Sequence, residues 1–266
     1  MERRDVLKTM AIAGLAAGAG TAAATAQTSA QTFVLVHGAW HGGWCWSRVA
    51  DRLRAAGHRV FTPTQTGLGE RKHLLSKDIT LDTFTKDIVN IIEAEELTNV
   101  VLVGHSFGGL AISGVAEATP ERIRHLVYLD SLMVEGGKSP FDSLPPDVVA
   151  ARRKAAEESS GGLSLPAPPP SAFGISDAND TEWVKRRLTP HPLGTYTSKQ
   201  NIKAPVGNNL PRTYIHCTNP SYPALQASRD WVKAQQGWRW AEIATGHDAM
   251  VTAPDELTRM LIGVSS

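Results

Sequence analysis

A serine stands between two glycines in residues 104–108, which read GHSFG. Four consecutive valine or leucine residues precede the segment and a helical pattern follows it, so it lies at a strand-to-helix turn. On such a turn the Ser106 side chain is exposed, because the flanking glycines let the strand and the helix pass closely. The N–H of Phe107 faces the same space from a helix N-terminus. This context predicts Ser106 as a nucleophile, whereas a bare match is often an ordinary helix start.

A serine needs a base to act near neutral pH. His247 follows the serine in chain order and lies between the last predicted strand and the last predicted helix, in the segment TGHD. That is where a strand–helix fold with this kind of serine turn places its histidine. The other eight histidines lie in other loops, inside elements or beside Ser106. We therefore predict that His247 takes the proton of Ser106.

The carboxylate that orients the histidine is less obvious. Residues 217–221 follow the penultimate predicted strand, the usual place for this acid, and hold no carboxylate. Asp130 directly follows the strand after the Ser106 turn, and from there a carboxylate can reach the imidazole Nδ1–H. Asp248 is adjacent to His247 and cannot easily turn back to pair with it. We predict Asp130 as the acid, and the alternative is an aspartate in a surface loop.

A glycine-rich loop, residues 37–44, follows the first predicted strand and reads HGAWHGGW. Gly38 permits unusual dihedral angles, so the Ala39 N–H can turn inward beside that of Phe107 to form an oxyanion hole. A phosphate-binding loop would need a Lys-Ser/Thr ending or a dinucleotide fingerprint, and both are missing. No cluster of His, Cys, Asp or Glu has metal-ligand spacing, so neither a metal ion nor a cofactor is expected.

The elements that position these residues alternate along the chain. Short apolar runs, typical of strands buried on both faces, occupy residues 33–36, 59–62, 100–103, 126–129, 213–217 and 239–243. Helical patterns occupy residues 46–55, 81–95, 107–118 and 254–264. The alternation predicts an α/β fold with a doubly wound, mainly parallel sheet.

One long insertion interrupts this rhythm. Residues 134–205 contain proline and glycine clusters and helical candidates at 147–158 and 180–188. We predict a helical cap over the sheet edge, inserted between core segments 32–133 and 206–266. A partly disordered surface excursion is the alternative, above all for 155–172. Aromatic or aliphatic residues near the loops or in the cap are candidate substrate-pocket walls, although each could equally belong to the core: Trp40, Leu132, Phe141, Phe173 and Trp183.

The first 26 residues have the layout of an export signal. Arg3 and Arg4 precede an apolar stretch rich in alanine and glycine, and residues 24–26 offer a small-residue cleavage site. The segment resembles a bacterial twin-arginine signal, which implies the twin-arginine export machinery as a partner. The alternatives are a membrane anchor and an ordinary helix. The apolar run is shorter than the ~20 residues that a membrane span needs, and Gly14, Gly18 and Gly20 weaken a helix. We predict a periplasmic or secreted protein with no stable membrane insertion after cleavage.

Composition excludes several classes of protein. The chain has 266 residues with 27 Lys and Arg against 26 Asp and Glu, so no basic excess is available for binding nucleic acid. Cleavage after Ala26 leaves 24 side chains of each sign. Cys45 and Cys217 lie far apart and are expected as free buried thiols, with one disulfide as the alternative. The sequence does not indicate an oligomeric state.

Three motifs together carry a family resemblance: HGAWHGGWCW at residues 37–46, GHSFG at 104–108, and Gly246-His247 near the end. They resemble the α/β-hydrolase superfamily, in particular the branch of plant methyl esterases and hydroxynitrile lyases and related bacterial esterases. The resemblance covers about residues 32–264. It implies the same roles for Ser106 and His247 and the same oxyanion donors. The plant members carry the acid in the stretch that matches residues 217–221, so Asp130 is a departure.

Two further departures bear on the reaction. Lyase members place Lys directly after the catalytic histidine and Thr directly after the residue that matches His37, where this chain has Asp248 and Gly38. A cation for departing cyanide is therefore missing. The resemblance then implies a serine hydrolase that cleaves a carboxylic ester of a small hydrophobic substrate through an acyl-enzyme. The alternatives are a hydroxynitrile lyase-like C–C lyase and a catalytically idle binding protein on the same fold.

Overall fold

The computed structural model describes residues 30–264 of the chain. The strands of this region are β1 Thr32–Val36, β2 Arg59–Phe61, β3 Val100–His105, β4 Ile123–Leu129, β5 Ser164–Leu165, β6 His191–Pro192, β7 Arg212–Cys217 and β8 Arg239–Ile243. Six of them form one sheet in the order β2-β1-β3-β4-β7-β8, and every neighbouring pair is parallel. The predicted parallel α/β sheet is therefore confirmed.

Helices flank this sheet. They are α1 Ser47–Ala55, α2 Leu81–Ala94, α3 Gly108–Ala118, α4 Pro146–Ser160, α5 Ala178–Lys185, α6 Gly194–Thr197, α7 Gln226–Ala234, α8 Ala249–Thr252 and α9 Pro254–Gly263. Helix α2 packs against α3, and α1 packs against α9. In α2 the apolar residues recur at helical spacing and turn one buried stripe, which includes Phe84, Ile88 and Ile92, toward the core.

The central strands are apolar because both of their faces are covered. All six residues of β3 are buried, as are the last four of β1. The register pairs Val36 with Gly104, and His105 with Leu129, so these strands end at the same edge. Leu129 is in turn paired with Ile215 of β7. The loops that follow β1, β3, β4 and β7 therefore meet at one edge of the sheet.

The insertion between β4 and β7 contains α4, β5, α5, β6 and α6, and β5 pairs antiparallel with β6. Each of these two strands has only two residues, too few to read from the sequence. Hydrogen bonds tie the insertion to the core loops. The Trp40 N–H donates to His191 Nδ1 at 3.3 Å, Trp40 O accepts from the Thr189 N–H at 2.9 Å, and Phe173 O accepts from the Asp248 N–H at 3.3 Å.

The predicted export signal, residues 1–26, lies outside the described residues and stays a prediction. Between residues 30 and 264, no helix is long and apolar enough to cross a membrane. Cys45 and Cys217 are both free and buried.

Candidate active site

Ser106 occupies the turn between β3 and α3 and has a positive φ of 52°. Backbone hydrogen bonds hold this strained conformation: the Ser106 N–H donates to Leu129 O at 3.0 Å, and Ser106 O accepts from the Leu132 N–H at 3.0 Å. A Cβ at Gly104 would lie 2.8 Å from Gly108 O, so the close passage of strand and helix requires glycine there. The sharp turn predicted from the GHSFG motif is thus built by the end of β4 as well as by its own glycines.

Asp130 lies at the end of the neighbouring strand and contacts His247, which stands in the loop between β8 and α8. His247 Nδ1 is 2.7 Å from Asp130 Oδ2, and both side chains are buried. Since a carboxylate accepts, the Nδ1–H of the imidazole donates, and Nε2 is left as the acceptor of the neutral ring. The Asp130 N–H donates to Ile215 O at 2.7 Å and so fixes the carboxylate on the sheet edge.

Arg229 of α7 contacts the other oxygen of the same carboxylate, a feature that the sequence analysis missed. Its Nη1 is 3.5 Å from Asp130 Oδ1, and the pair is buried. Its Nη2 donates to Tyr222 O at 3.1 Å. The Tyr222 ring stacks on the His247 ring at a centroid distance of 4.3 Å. One buried guanidinium therefore connects the acid to the loop that packs on the histidine.

The loop after β1 lies directly against Ser106, since a Cβ at Gly38 would be 2.9 Å from Ser106 Cβ. His37 holds this loop in place. Its Nε2 accepts from the Gln65 N–H at 3.0 Å, so Nδ1 carries the proton and donates to Gly38 O at 2.8 Å. That carbonyl belongs to the peptide group that carries the Ala39 N–H. Burial lowers the pKa of His37 to about 3, which keeps the ring neutral in this role.

A second histidine–carboxylate pair lies close to the first. His41 Nε2 is 3.1 Å from Asp248 Oδ2, and His41 Nδ1 donates to Ala39 O at 2.7 Å. With a carboxylate and a carbonyl as its partners, His41 donates from both nitrogens and is protonated. Burial alone would lower the pKa of His41, but the Asp248 charge and the hydrogen bonds raise it above its usual value. Asp248 thus links the His247 loop to the loop after β1.

Within residues 30–264, His105, His247 and Asp248 form a group whose ligand atoms lie within 4.8 Å of one another, close enough to hold a metal ion. Hydrogen bonds within the protein already engage this group. His105 Nε2 donates to His247 O at 3.0 Å, and burial lowers the pKa of His105 well below its usual value. The other two side chains bind Asp130 and His41. Contacts within the protein therefore explain why these three side chains lie close together.

A cavity of ≈ 40 Å³ lies at Ser106, and its wall includes Ala39 and Phe107, the two predicted oxyanion donors. Phe107 immediately precedes α3, so its N–H points out of the helix N-terminus. Of the predicted pocket residues, Trp40 and Leu132 line this cavity. Its remaining wall residues are Leu144, Arg152, Tyr196, Tyr222, Ala224 and Leu225.

The structure places the other three predicted pocket residues, Phe141, Phe173 and Trp183, outside the wall of the cavity at Ser106. Phe141 is 6% exposed and packs behind Tyr196, with ring centroids 5.4 Å apart. Phe173 packs against His41 at 5.1 Å, and Trp183 packs against Trp44 at 5.1 Å. Phe173 and Trp183 thus join the insertion to the core, whereas Phe141 packs within the insertion.

Some wall residues of the cavity at Ser106 were not predicted from the sequence, and the sequence pointed to some of them more clearly than to others. Tyr222 follows β7 at the same sheet edge as Asp130, so its position in the chain marked it as a candidate. Arg152 lies in a cap helix whose residues are mostly exposed, and Tyr196 lies in a four-residue helix. Their contribution to the cavity depends on how the cap folds over the core, which local patterns do not specify.

Comparisons with known proteins agree with this architecture. A model of the alpha/beta hydrolase family matches residues 33–260. The carbendazim hydrolyzing esterase of Nocardioides sp. (strain SG-4G) is 40% identical over 225 residues, which cover 82% of this chain and 92% of that protein. Methylesterase 9 of Arabidopsis thaliana is 27% identical over 237 residues, which cover 83% of this chain and 93% of that protein.

A solved structure shows the same fold. It is that of an extracellular alpha/beta-hydrolase from a Paenibacillus species, and it has a TM-score of 0.75 at 24% identity over 88% of this chain and 98% of that one. The family match spans most of the chain, and an esterase is 40% identical over most of its length. The chain therefore belongs to the alpha/beta hydrolase family, within which it is a carboxylic ester hydrolase.

Proposed function

We propose that this hydrolase cleaves a neutral, hydrophobic ester with a small alkoxy group through an acyl-enzyme on Ser106. One observation carries the proposal: a single cavity brings together Ser106, Ala39 and Phe107, and the Tyr222 ring in its wall stacks on His247, which donates to Asp130 at 2.7 Å. A nucleophile, a base oriented by a carboxylate, and two backbone donors are the parts that acyl transfer requires.

In the proposed first step, Ser106 Oγ attacks the ester carbonyl while His247 Nε2 accepts the hydroxyl proton. The Asp130 carboxylate stabilises the imidazolium that forms. Collapse of the tetrahedral intermediate breaks the bond to the alkoxy oxygen, which takes the proton from His247 and leaves as an alcohol. Water then attacks the acyl-enzyme by the same route and releases the carboxylic acid and free Ser106.

The Ala39 and Phe107 N–H groups hold the oxyanion in both steps. Loss of one such donor typically lowers the rate by ~10²–10³. The contact of His37 with Gly38 O supports this role, because it fixes the peptide group that carries the Ala39 N–H before substrate arrives.

The size and character of the cavity support the substrate class. A volume of ≈ 40 Å³ at Ser106 is room for about three water molecules, which suits a methoxy or ethoxy group. The wall is largely apolar. The names of the relatives are consistent with ester hydrolysis, and that of the methylesterase is consistent with a methyl ester.

The lyase alternative receives less support. At the position where lyases carry Lys, this chain has Asp248, whose carboxylate pairs with His41. A cation for departing cyanide is thus absent from this position of the described chain. Offering mandelonitrile beside methyl esters separates the two reactions, because a lyase would release benzaldehyde and cyanide.

The test is a panel of methyl and ethyl esters assayed against wild type, with Ser106→Ala as the blank. Intact-mass spectrometry after rapid acid quench should detect an acyl adduct on wild type, located at Ser106 by peptide mapping. Equal turnover by Ser106→Ala, or an adduct on another residue, would overturn the proposal.

Export is part of the proposal too, carried by the sequence of residues 1–26 alone. In a bacterium with twin-arginine machinery, we expect the full chain to be found outside the cytoplasm. Replacing Arg3 and Arg4 by Lys should keep it in the cytoplasm; unchanged export would contradict a twin-arginine route.

A further inference from the structure

A second, larger cavity lies beside the cavity at Ser106. Its volume is ≈ 280 Å³, against ≈ 40 Å³ for the inner one. The two cavities share three wall residues, Trp40, Arg152 and Tyr222. These shared residues place the outer cavity directly next to the place where the ester would react.

The cap builds the rest of the outer wall. Ala155 of α4, Leu165 of β5 and the adjacent segment 166–168 line it with small and apolar side chains. This segment opens the proline-rich run PAPPP, for which the sequence left a surface excursion open. Prolines keep the backbone extended and add apolar rings, so the run supplies a stiff, apolar wall.

The shared residues are anchored to the catalytic loops. Trp40 follows Ala39 in the chain, and its Nε1–H donates to Leu165 O at 3.3 Å. Tyr222 stacks on the His247 ring at 4.3 Å. A group seated in the outer cavity would therefore lie against side chains that also position the reacting groups.

Arg152 is the one charged side chain in the wall of the outer cavity. Within residues 30–264 it forms no ion pair with a carboxylate, and its guanidinium carbon lies 5.2 Å from the centre of the Tyr196 ring. Arg152 also makes a side-chain hydrogen bond to the Tyr196 hydroxyl. A guanidinium has five N–H donors, so this one oxygen and the ring face leave donors over. The junction of the two cavities therefore presents donors to a ligand.

We propose that the outer cavity is the acyl subsite and takes a flat apolar group, such as an aromatic ring, that bears a hydrogen-bond acceptor for Arg152. The inner cavity then holds the small alkoxy group. This inference rests on the proposed function, because it assigns the two sides of the ester whose carbonyl Ser106 attacks. The sevenfold difference between the two cavity volumes determines which side is large.

Filling the outer cavity tests the size argument. Ala155→Trp should lower the ratio of kcat/KM for methyl 4-isopropylbenzoate to that for methyl acetate by at least 10-fold. Ala151→Trp is the matched control, since Ala151 is exposed on the same helix and is not part of either wall. Ala167→Phe, at an exposed position of the opposite wall, should act in the same direction. An unchanged ratio in both cavity variants would overturn the subsite, and a selective loss for phenyl acetate would reverse the assignment of the two sides.

Replacing Arg152 by Met tests whether Arg152 donates a hydrogen bond to an acceptor on the acyl group. Met keeps the length and the apolar contacts of the side chain but has no donor. Methyl 4-acetylbenzoate and methyl 4-isopropylbenzoate differ mainly in one ketone oxygen. Arg152→Met should lower kcat/KM for the ketone ester about 10-fold more than for the isopropyl ester, as expected for a hydrogen bond to a charged group. An equal loss of kcat/KM for both esters would show that Arg152 does not donate a hydrogen bond to an acceptor on the substrate.

Binding separates this inference from the proposed function. Calorimetric titration of methyl 4-acetylbenzoate into Ser106→Ala needs no chemistry, and adding Ala155→Trp to that variant should weaken binding at least 10-fold. If wild type cleaves no ester but this weakening is seen, the proposed function fails while the subsite stands. If esters are cleaved and both variants bind equally, the subsite fails alone.

Discussion

Two buried histidine–carboxylate pairs lie side by side, and they are built for different tasks. His247 with Asp130 and His41 with Asp248 have N···O distances of 2.7 Å and 3.1 Å, and His247 and Asp248 are neighbours in the chain. His41 donates from both nitrogens and has no lone pair left to accept a proton. His247 donates from Nδ1 only, so its Nε2 stays available. A short distance between a histidine and a carboxylate is therefore not in itself evidence that the histidine acts as a base. The partner of the other ring nitrogen determines whether the imidazole can accept a proton.

The largest expected effect is on the proposed catalytic pair. Asp130→Asn should lower kcat by about 10⁴, because the amide no longer favours the Nδ1–H tautomer or stabilises the imidazolium. The measurement is ester turnover, with folding checked by circular dichroism. A loss of less than 10-fold in a folded variant would place the acid elsewhere.

Breaking the other pair, His41 with Asp248, should mainly lower the stability of the fold. Asp248→Asn leaves a buried, protonated His41 without its counter-charge, so we expect the free energy of unfolding to fall by about 3–5 kcal/mol. Asp255→Asn is the control, because Asp255 pairs with Arg52 on the surface, where solvent screens the pair, and the substitution should change stability much less. Urea denaturation measures both. Equal effects of the two substitutions would contradict a structural role for Asp248.

A smaller effect on rate should come from His37. His37→Gln removes the donor to Gly38 O, and we expect kcat to fall about 10–100-fold with little change in KM, below the loss of a whole oxyanion donor. His37→Asn can place its amide N–H near the original Nδ1 and should retain more activity. If the two variants have the same kcat, the contact with Gly38 O does not position the Ala39 N–H.

The smallest expected effect is the pH dependence of stability, where His41 acts with one sign and the fully buried histidines of lowered pKa, His37, His105 and His191, act with the other. The pKa of His41 is raised in the folded protein, so its stabilising contribution is present below about pH 6.5 and is lost as pH rises through the folded-state pKa. The pKa of His37 is lowered to about 3, so the unfolded chain protonates first and stability falls as pH drops from 6.5 toward 3.

Asp248→Asn separates these two contributions. The substitution should flatten the loss of stability above about pH 6.5 and leave the loss on the acid side, measured by urea denaturation at several pH values. An alkaline slope identical to that of wild type would mean that His41 does not titrate as its contacts require.

The sequence specified the core of the fold more fully than the site. All six predicted strand runs form the sheet, because continuous apolar runs between turn residues have few other uses. Ser106, Asp130 and His247 were singled out because strand ends share one edge. Arg229 and Arg152 were not predicted as site residues. Their contacts are with residues of other elements and depend on how the cap packs on the core, which local sequence does not show. Phe141, Phe173 and Trp183 lie outside the wall of the inner cavity. The sequence could not show this, because an aromatic residue in the insertion can line a pocket or pack against its neighbours.

The most direct test of the central claim is the rate at which a small fluorophosphonate labels Ser106 in wild type, Asp130→Asn and Asp248→Asn, measured by intact mass and peptide mapping. Labelling requires the serine oxygen to attack phosphorus and release fluoride, so it reports the activated nucleophile without substrate turnover. We predict that, in variants that circular dichroism shows to be folded, labelling of Ser106 is slowed about 10³–10⁴-fold by Asp130→Asn and less than 10-fold by Asp248→Asn. Labelling at another residue, or a larger loss in Asp248→Asn than in Asp130→Asn, would contradict the account.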